Sequence, residues 1–287
     1  MLNCPSDKPC SFLPSAANFS CGCPQHMTPD RSGICRSVEK QPKDCAEIQW
    51  TDQSLGSGVY TVYRPGCLNP LSCTKSVLCD LETNGGGWTV IQKRTNADEG
   101  FFRTWKEYKD GFGRVGDDNF WIGNEYIFEI TNAPNVTSYE LFLKMQTTLD
   151  FPVFAHFTGF RLEAEASDYR LRLGIMLGGA GADLFASRDR GFGTVDRDTD
   201  GLEEVTCGLW WQSGWWFDSE CERSGNLNVP YSGAANSKHL KGIMWSGSRI
   251  KVAAMMIRPA GFKGIPLFHA FRLYSKLASY SWSAHSR

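Results

Sequence analysis

The chain has 287 residues, 41% of them apolar, with eleven cysteines and a formal net charge of −1. That length buries a core of ordinary size and admits one large domain with a smaller companion. A near-neutral balance without a basic block argues against nucleic acid or an anionic membrane as partner, and this cysteine density without a metal-site pattern excludes a reduced cytosolic setting.

At the N-terminus, Met1 is followed by Asn3-Cys4-Pro5 rather than by a basic region and an apolar run, so no signal peptide is read there. No stretch approaches the ~20 consecutive apolar residues of a spanning helix. The expectation is a secreted, extracellular chain whose sequence begins inside a longer one. Two N-x-S/T sequons, at Asn18 and Asn135, are candidate glycosylation sites that fit this setting.

Cys4, Cys10, Cys21, Cys23 and Cys35 follow the spacing C-x5-C-x10-C-x-C-x11-C, with Phe19 two residues before the C-x-C. This resembles an EGF-like module that lacks its first cysteine. The resemblance implies pairs Cys4–Cys21 and Cys23–Cys35 and leaves Cys10 over, which accounts for the odd total. Its partner is either an upstream cysteine or a second chain. Residues 1–43 are too few to bury a core, so bridges worth ~2–4 kcal/mol each would supply most of the stability of such a spacer.

From residue 44 onward the pattern changes. Tyr60 and Val62, Trp88 to Lys93, Tyr139 to Met145 at alternate positions, and Tyr169, Leu171, Leu173 and Ile175 read as half-buried strands. Thr104 to Lys109 and Asn124 to Thr131 read as short helices between polar or glycine punctuation. Mixed strands and helices without a βαβ rhythm predict an α+β domain with mainly antiparallel pairing, its core partly filled by the ten tryptophans. Gly85-Gly86-Gly87 is read as a tight turn rather than a phosphate loop, because it leads into a strand.

A series of phrases identifies the family. Asn84-Gly85-Gly86-Gly87-Trp88-Thr89-Val90-Ile91-Gln92-Lys93-Arg94, Tyr108-Lys109-Asp110-Gly111-Phe112-Gly113 and Phe120-Trp121-Ile122-Gly123-Asn124-Glu125 occur in one order. Asp196 to Asp200, Trp215-Trp216, Asn226-Leu227-Asn228 and Gly242-Ile243-Met244-Trp245 then follow. Residues 44–260 thereby resemble a fibrinogen C-terminal domain, as in ficolins, tachylectins, tenascins and angiopoietins. The resemblance implies disulfides Cys45–Cys79 and Cys207–Cys221. Cys67 and Cys73 either bridge locally, or Cys67 pairs with an upstream cysteine.

Asp196-Arg197-Asp198-Thr199-Asp200-Gly201 places carboxylates at alternate positions, as a short loop around a hard cation requires. An EF-hand is excluded, since position twelve counted from Asp196 is Cys207 rather than glutamate. The resemblance implies one calcium ion held by Asp198 and Asp200 and by the carbonyls of Leu202 and Glu204, with Val205 the alternative for the last.

In lectin members a pocket beside this loop grips acetyl groups, its floor set by a cis peptide before the second bridge cysteine. Here that maps to Glu220-Cys221, with Trp211, Glu222, His239 and Leu240 as further candidate ligand-binding residues. Glu222 stands where lectins often carry histidine, and the stretch from Trp245 to Pro259 is shorter than in ficolins. Glu222 and Lys241 suggest a more polar ligand.

The leading functional expectation is a calcium-binding lectin of innate defence that recognises an extracellular glycan or glycoprotein. The alternative is an extracellular matrix or receptor-ligand module that binds a protein, as tenascin-like and angiopoietin-like relatives are. Homo-oligomerisation stays open. Five histidines without H-E-x-x-H, and no G-x-S-x-G, argue against an enzyme. Residues 261–287, beyond the family's usual end, read as a poorly ordered tail or a short amphipathic helix.

Overall fold

The computed structural model describes residues 42–65, 73–134, 138–201, 206–218, 221, 225–231 and 242–262, together with the backbone of four short N-terminal strands. Those strands, β1 (Cys10–Leu13), β2 (Asn18–Cys21), β3 (Met27–Pro29) and β4 (Cys35–Ser37), form two antiparallel pairs, β1 with β2 and β3 with β4. The pairings implied for Cys4, Cys10, Cys21, Cys23 and Cys35 lie outside the described side chains, as do both sequon side chains.

The larger unit opens with helix α1 (Cys45–Thr51), whose start is capped by Asp44 accepting the Glu47 N–H. Next come β5 (Gly58–Tyr63), β6 (Thr74–Asp80), β7 (Trp88–Arg94), α2 (Trp105–Asp110), β8 (Phe120–Trp121) and α3 (Asn124–Thr131). Then follow β9 (Tyr139–Thr147), β10 (Pro152–Leu162), β11 (Leu171–Arg172), β12 (Met176–Gly179), α4 (Ala182–Ala186), α5 (Cys207–Trp210), β13 (Met244–Trp245) and β14 (Ser248–Pro259). The main sheet runs β11-β10-β9-β14-β7-β6-β5, every pair antiparallel, with β12 on β10, β13 on β14 and β8 on β7.

The chain's last described strand thus sits at the centre of the sheet, between β9 and β7. Buried ladders on both sides favour an apolar run, and Met255, Met256 and Ile257 in β14 are almost wholly buried. Alternation along β9 puts Tyr139, Leu141, Leu143 and Met145 into the core. Helix α3 packs against β10 on that side.

The Gly85–Gly87 run is a turn leading into β7. All three glycines have φ between 74° and 88°, and a Cβ on Gly86 would lie 2.3 Å from the Leu81 carbonyl oxygen. Cys45 and Cys79 are bridged, with Cα atoms 5.4 Å apart, tying α1 to β6. Cys73 is also disulfide-bonded, and Cys67 lies outside the described residues.

Two expectations change. The strand expected from Tyr169 to Ile175 shrinks to Leu171–Arg172, because Tyr169 follows a turn at Glu165–Ser167 and takes φ +44°, which breaks the extended path. The tryptophans divide: Trp88, Trp121, Trp215, Trp216 and Trp245 are buried, whereas Trp50 and Trp210 are exposed.

Candidate cation loop and recognition face

Helix α2 organises the site. Thr104 accepts the Glu107 N–H, and Glu107 accepts the Thr104 N–H at 2.9 Å, a reciprocal cap that fixes where the helix starts. The next backbone donor, the Trp105 N–H, goes to Asp196 Oδ1 at 2.8 Å, and the same oxygen accepts the Thr194 hydroxyl at 2.7 Å. Asp196 therefore moors the acidic loop to α2.

Arg197 lies 4.0 Å over the Trp105 ring and donates to Asp168 at 2.6 Å. Trp105 stacks on Tyr169 at 5.4 Å, and its indole N–H donates to Glu165 at 2.9 Å. The Glu165 carboxyl, which also takes Lys109, is held below the ordinary carboxylate range by these donors. So Arg197, the cation within the acidic run, is a strut between Trp105 and Asp168.

Asp198 Oδ1 accepts the Asp200 N–H at 3.0 Å, and Asp200 Oδ2 accepts the Cys207 N–H at the start of α5 at 2.7 Å. The two carboxylates frame one turn, and oxygen donors of this kind suit a hard cation. Leu202, Glu204 and Val205, the expected carbonyl donors, lie outside the described residues. Asp200, Cys207 and Cys221 also converge, with ligand atoms within 4.8 Å of one another. Cys207 and Cys221 are bonded to each other, so this trio contributes one carboxylate and no thiolate, which excludes a soft-metal site there.

Helix α5 needs close approach to the loop. A Cβ on Gly208 would sit 2.4 Å from the Thr194 carbonyl carbon. Past α5 the chain turns back, and the Trp211 indole N–H donates to the Cys221 carbonyl at 2.7 Å. Of the residues expected in the ligand pocket, these two meet. The Cys221 N–H points back to the Asp218 carbonyl at 3.4 Å, and Cys221 takes φ +51°. Glu220, Glu222, His239, Leu240 and Lys241 lie outside the described residues, and the Glu220-Cys221 peptide with them.

Sequence reasoning passed over Leu209 and Trp210. On α5, beside the loop, they are 54% and 42% exposed. Nothing in their spacing marks them, because only the packing of α5 on Thr194 decides which side faces water.

Behind the site, two of the family phrases find each other. Gln92 donates to the Leu227 carbonyl at 3.1 Å and to Asn228 Oδ1 at 3.2 Å, and Arg94 donates to the carbonyls of Leu227 and Val229 at 3.0 Å each. Asn226 and Asn228 bond Ser213 and Gly214, so segment 225–231 is pinned between β7 and the end of α5.

Residues 41–260 match the family described as fibrinogen beta and gamma chains, C-terminal globular domain. The chain belongs to that family. It is 36% identical over 222 residues to human angiopoietin-related protein 1, covering 76% of this chain and 43% of that one. With mouse tenascin-R it shares 36% identity over 224 residues, covering 77% of this chain and 16% of that one. The chain spans less than half the length of these curated relatives. Among solved structures, the fibrinogen-like globe domain of human ANGPTL6 matches at 37% identity and a TM-score of 0.66, covering 76% of this chain and 97% of that one. Lamprey fibrin D-dimer, complexed with the peptide Gly-His-Arg-Pro-amide, matches at 26% identity and a TM-score of 0.65, covering 82% and 80%. Among the described residues, no helix is long and apolar enough to cross a membrane.

Proposed function

We propose that this chain is a secreted, non-catalytic recognition protein whose fibrinogen-type domain holds calcium at Asp198 and Asp200 and binds a protein partner through the adjoining face of α5. The observation that carries this reading is the exposed Leu209–Trp210 pair on a helix tied to the loop through Asp200 and the Cys207–Cys221 bridge. An exposed tryptophan is among the residue types that most often carry the binding energy of protein interfaces. Calcium acts structurally here: by neutralising Asp198 and Asp200 it holds the loop, and through the Cys207 N–H it holds the start of α5.

A protein partner is favoured over a glycan on two grounds. The Cys221 N–H is turned toward Asp218 rather than outward to a ligand carbonyl. The relatives sharing 36–38% identity include angiopoietin-related proteins and tenascin-R, groups for which the sequence resemblance implies matrix or receptor-ligand modules.

The test is to apply the chain, with and without chelator, to a glycan array and to an array of receptor and matrix ectodomains. Calcium-dependent capture of an ectodomain, weakened at least tenfold by Trp210→Ala, is expected. Calcium-dependent glycan binding untouched by Trp210→Ala would instead establish the lectin reading.

A further inference from the structure

Five arginines from three stretches of sequence meet at the β11 end of the main sheet. Arg161 lies on β10, Arg170 and Arg172 at β11, and Arg188 and Arg190 in the turn that follows α4. The ladder register sets Arg161 directly opposite Arg172, and direct partners on adjacent strands share a face. Leu162 and Leu171, the next pair along, are buried, so alternation turns both arginines away from the core. Backbone bonds bring the turn alongside: the Leu171 N–H donates to the Arg190 carbonyl at 2.9 Å, and the Asp189 N–H donates to the Leu171 carbonyl at 2.8 Å.

Two carboxylates fix the middle of this cluster. Glu163 accepts Arg172 at 2.7 Å and lies 3.7 Å from Arg170, while Asp189 pairs with Arg172 and lies 3.5 Å from Arg188. Arg170 donates to the Asp189 carbonyl at 2.7 Å, and Arg188 lies 4.8 Å over the Phe185 ring. Arg161 and Arg190 are exposed and make no ion pair among the described residues. The other carboxylates of segment 161–190 are engaged elsewhere: Lys109 holds Glu165, Arg197 holds Asp168, and Asp183 accepts the Ser246 N–H. Five guanidinium groups thus face two carboxylates, an excess of three positive charges.

That excess is not needed to guard the sheet edge. Charged side chains commonly block an edge strand, but here the turn already takes both backbone groups of Leu171. Like charges directly opposite on a ladder are destabilising, so Arg161 against Arg172 weakens the fold unless an anion sits between them. Every basic residue from 161 to 190 is arginine, whose planar fork grips an oxyanion through two parallel hydrogen bonds. An acidic peptide would bring only carboxylates, the groups that already hold Arg170 and Arg172. A sulfated polysaccharide presents several oxyanions at close spacing, and its release of condensed counterions adds to the binding, as for any dense linear polyanion.

We propose that the arginine face of β10, β11 and the 187–190 turn binds a sulfated polysaccharide, with Arg161 and Arg190 supplying the free forks. The site is separate from the α5 face and works without calcium.

Heparin is the probe. The full chain is applied to immobilised heparin over a salt series, with unsulfated hyaluronan and polyglutamate as comparisons. Heparin is expected to bind at least tenfold tighter than either, with and without chelator, and to weaken as salt rises. Arg161→Gln with Arg190→Gln should cut heparin affinity at least tenfold and reduce the salt slope by about one unit per arginine. Neither side chain has a partner among the described residues, so an unchanged Tm separates loss of the site from loss of folding. Trp210→Ala and Arg114→Gln, an exposed arginine between α2 and β8, should each change heparin affinity less than twofold. No heparin binding at physiological salt, or binding that the double variant retains, would overturn the proposal. Equal affinity for polyglutamate would overturn it in favour of an acidic protein, and heparin binding lost in chelator or in Trp210→Ala would overturn it in favour of the calcium loop.

Discussion

Asp196 Oδ1 takes the backbone N–H of Trp105 at 2.8 Å, joining the acidic loop to the first turn of α2 across 91 positions of sequence. An N–H in the first turn has no partner within its own helix, and a carboxylate is a strong acceptor for it. Asp196→Ala is therefore expected to lower stability by about 1 kcal/mol, the usual size of a lost helix-start acceptor. Chemical denaturation reads this directly. The proposal that Asp198 and Asp200 hold calcium predicts that a calcium-induced rise in Tm persists in this variant.

Asp198→Ala should behave in the opposite way. Calcium at 100 times its Kd stabilises a folded protein by ~2.7 kcal/mol, and that increment vanishes with the site. Differential scanning fluorimetry of the wild type should show Tm rising with calcium, and the variant should show a flat profile. A variant that still responds to calcium as the wild type does places the ion elsewhere.

Arg94 is buried with its guanidinium 3.9 Å over the Phe101 ring, and burial pushes its pKa down to about 10. Arg94→Ala orphans the Val229 carbonyl, leaves the Leu227 carbonyl to Gln92 alone and opens a void, so a loss of roughly 3 kcal/mol is expected. Hydrogen exchange should localise the damage to segment 225–231. Uniform acceleration across the domain at unchanged local rank order would argue against Arg94 as the pin of that segment.

Asp44 provides a pH test. Burial raises its carboxyl from 3.8 to about 6, outweighing the Glu47 N–H and the Tyr139 hydroxyl that bond it. Between pH ~4 and ~6 the folded protein holds a proton that the unfolded chain has released, so this group favours folding below the window and loses that contribution as pH rises through it. Asp44→Asn stays neutral throughout. Its stability relative to wild type should accordingly climb by roughly 2.4 kcal/mol from pH 4 to pH 7, at 1.36 kcal/mol per pKa unit. Parallel stability profiles for the two proteins would rule this out.

Local chemistry was legible. Helix α3 starts at Asn124 and ends at Thr131 where glycine and polar punctuation set its limits, and Gly85–Gly87 leads into β7 as a turn must. Helix α1 went unmarked although Asp44 and Glu47 form a start signal ahead of it. Strand β14 also went unmarked, because burial on both ladders erases the alternation by which strands are recognised.

At the acidic loop, alternation of Asp196, Asp198 and Asp200 by itself raised the expectation of a cation-type turn and ruled out an EF-hand, since both depend only on spacing along a few residues. Which carboxylate stands apart was decided by α2, whose free N–H claims Asp196. That the neighbouring face presents Leu209 and Trp210 was decided by the seat of α5 on Thr194, through Gly208. Short-range steric and hydrogen-bonding rules act within a turn and can be read in sequence. Partner choice between segments tens of residues apart depends on the packing that brings them together, and only the folded chain carries it.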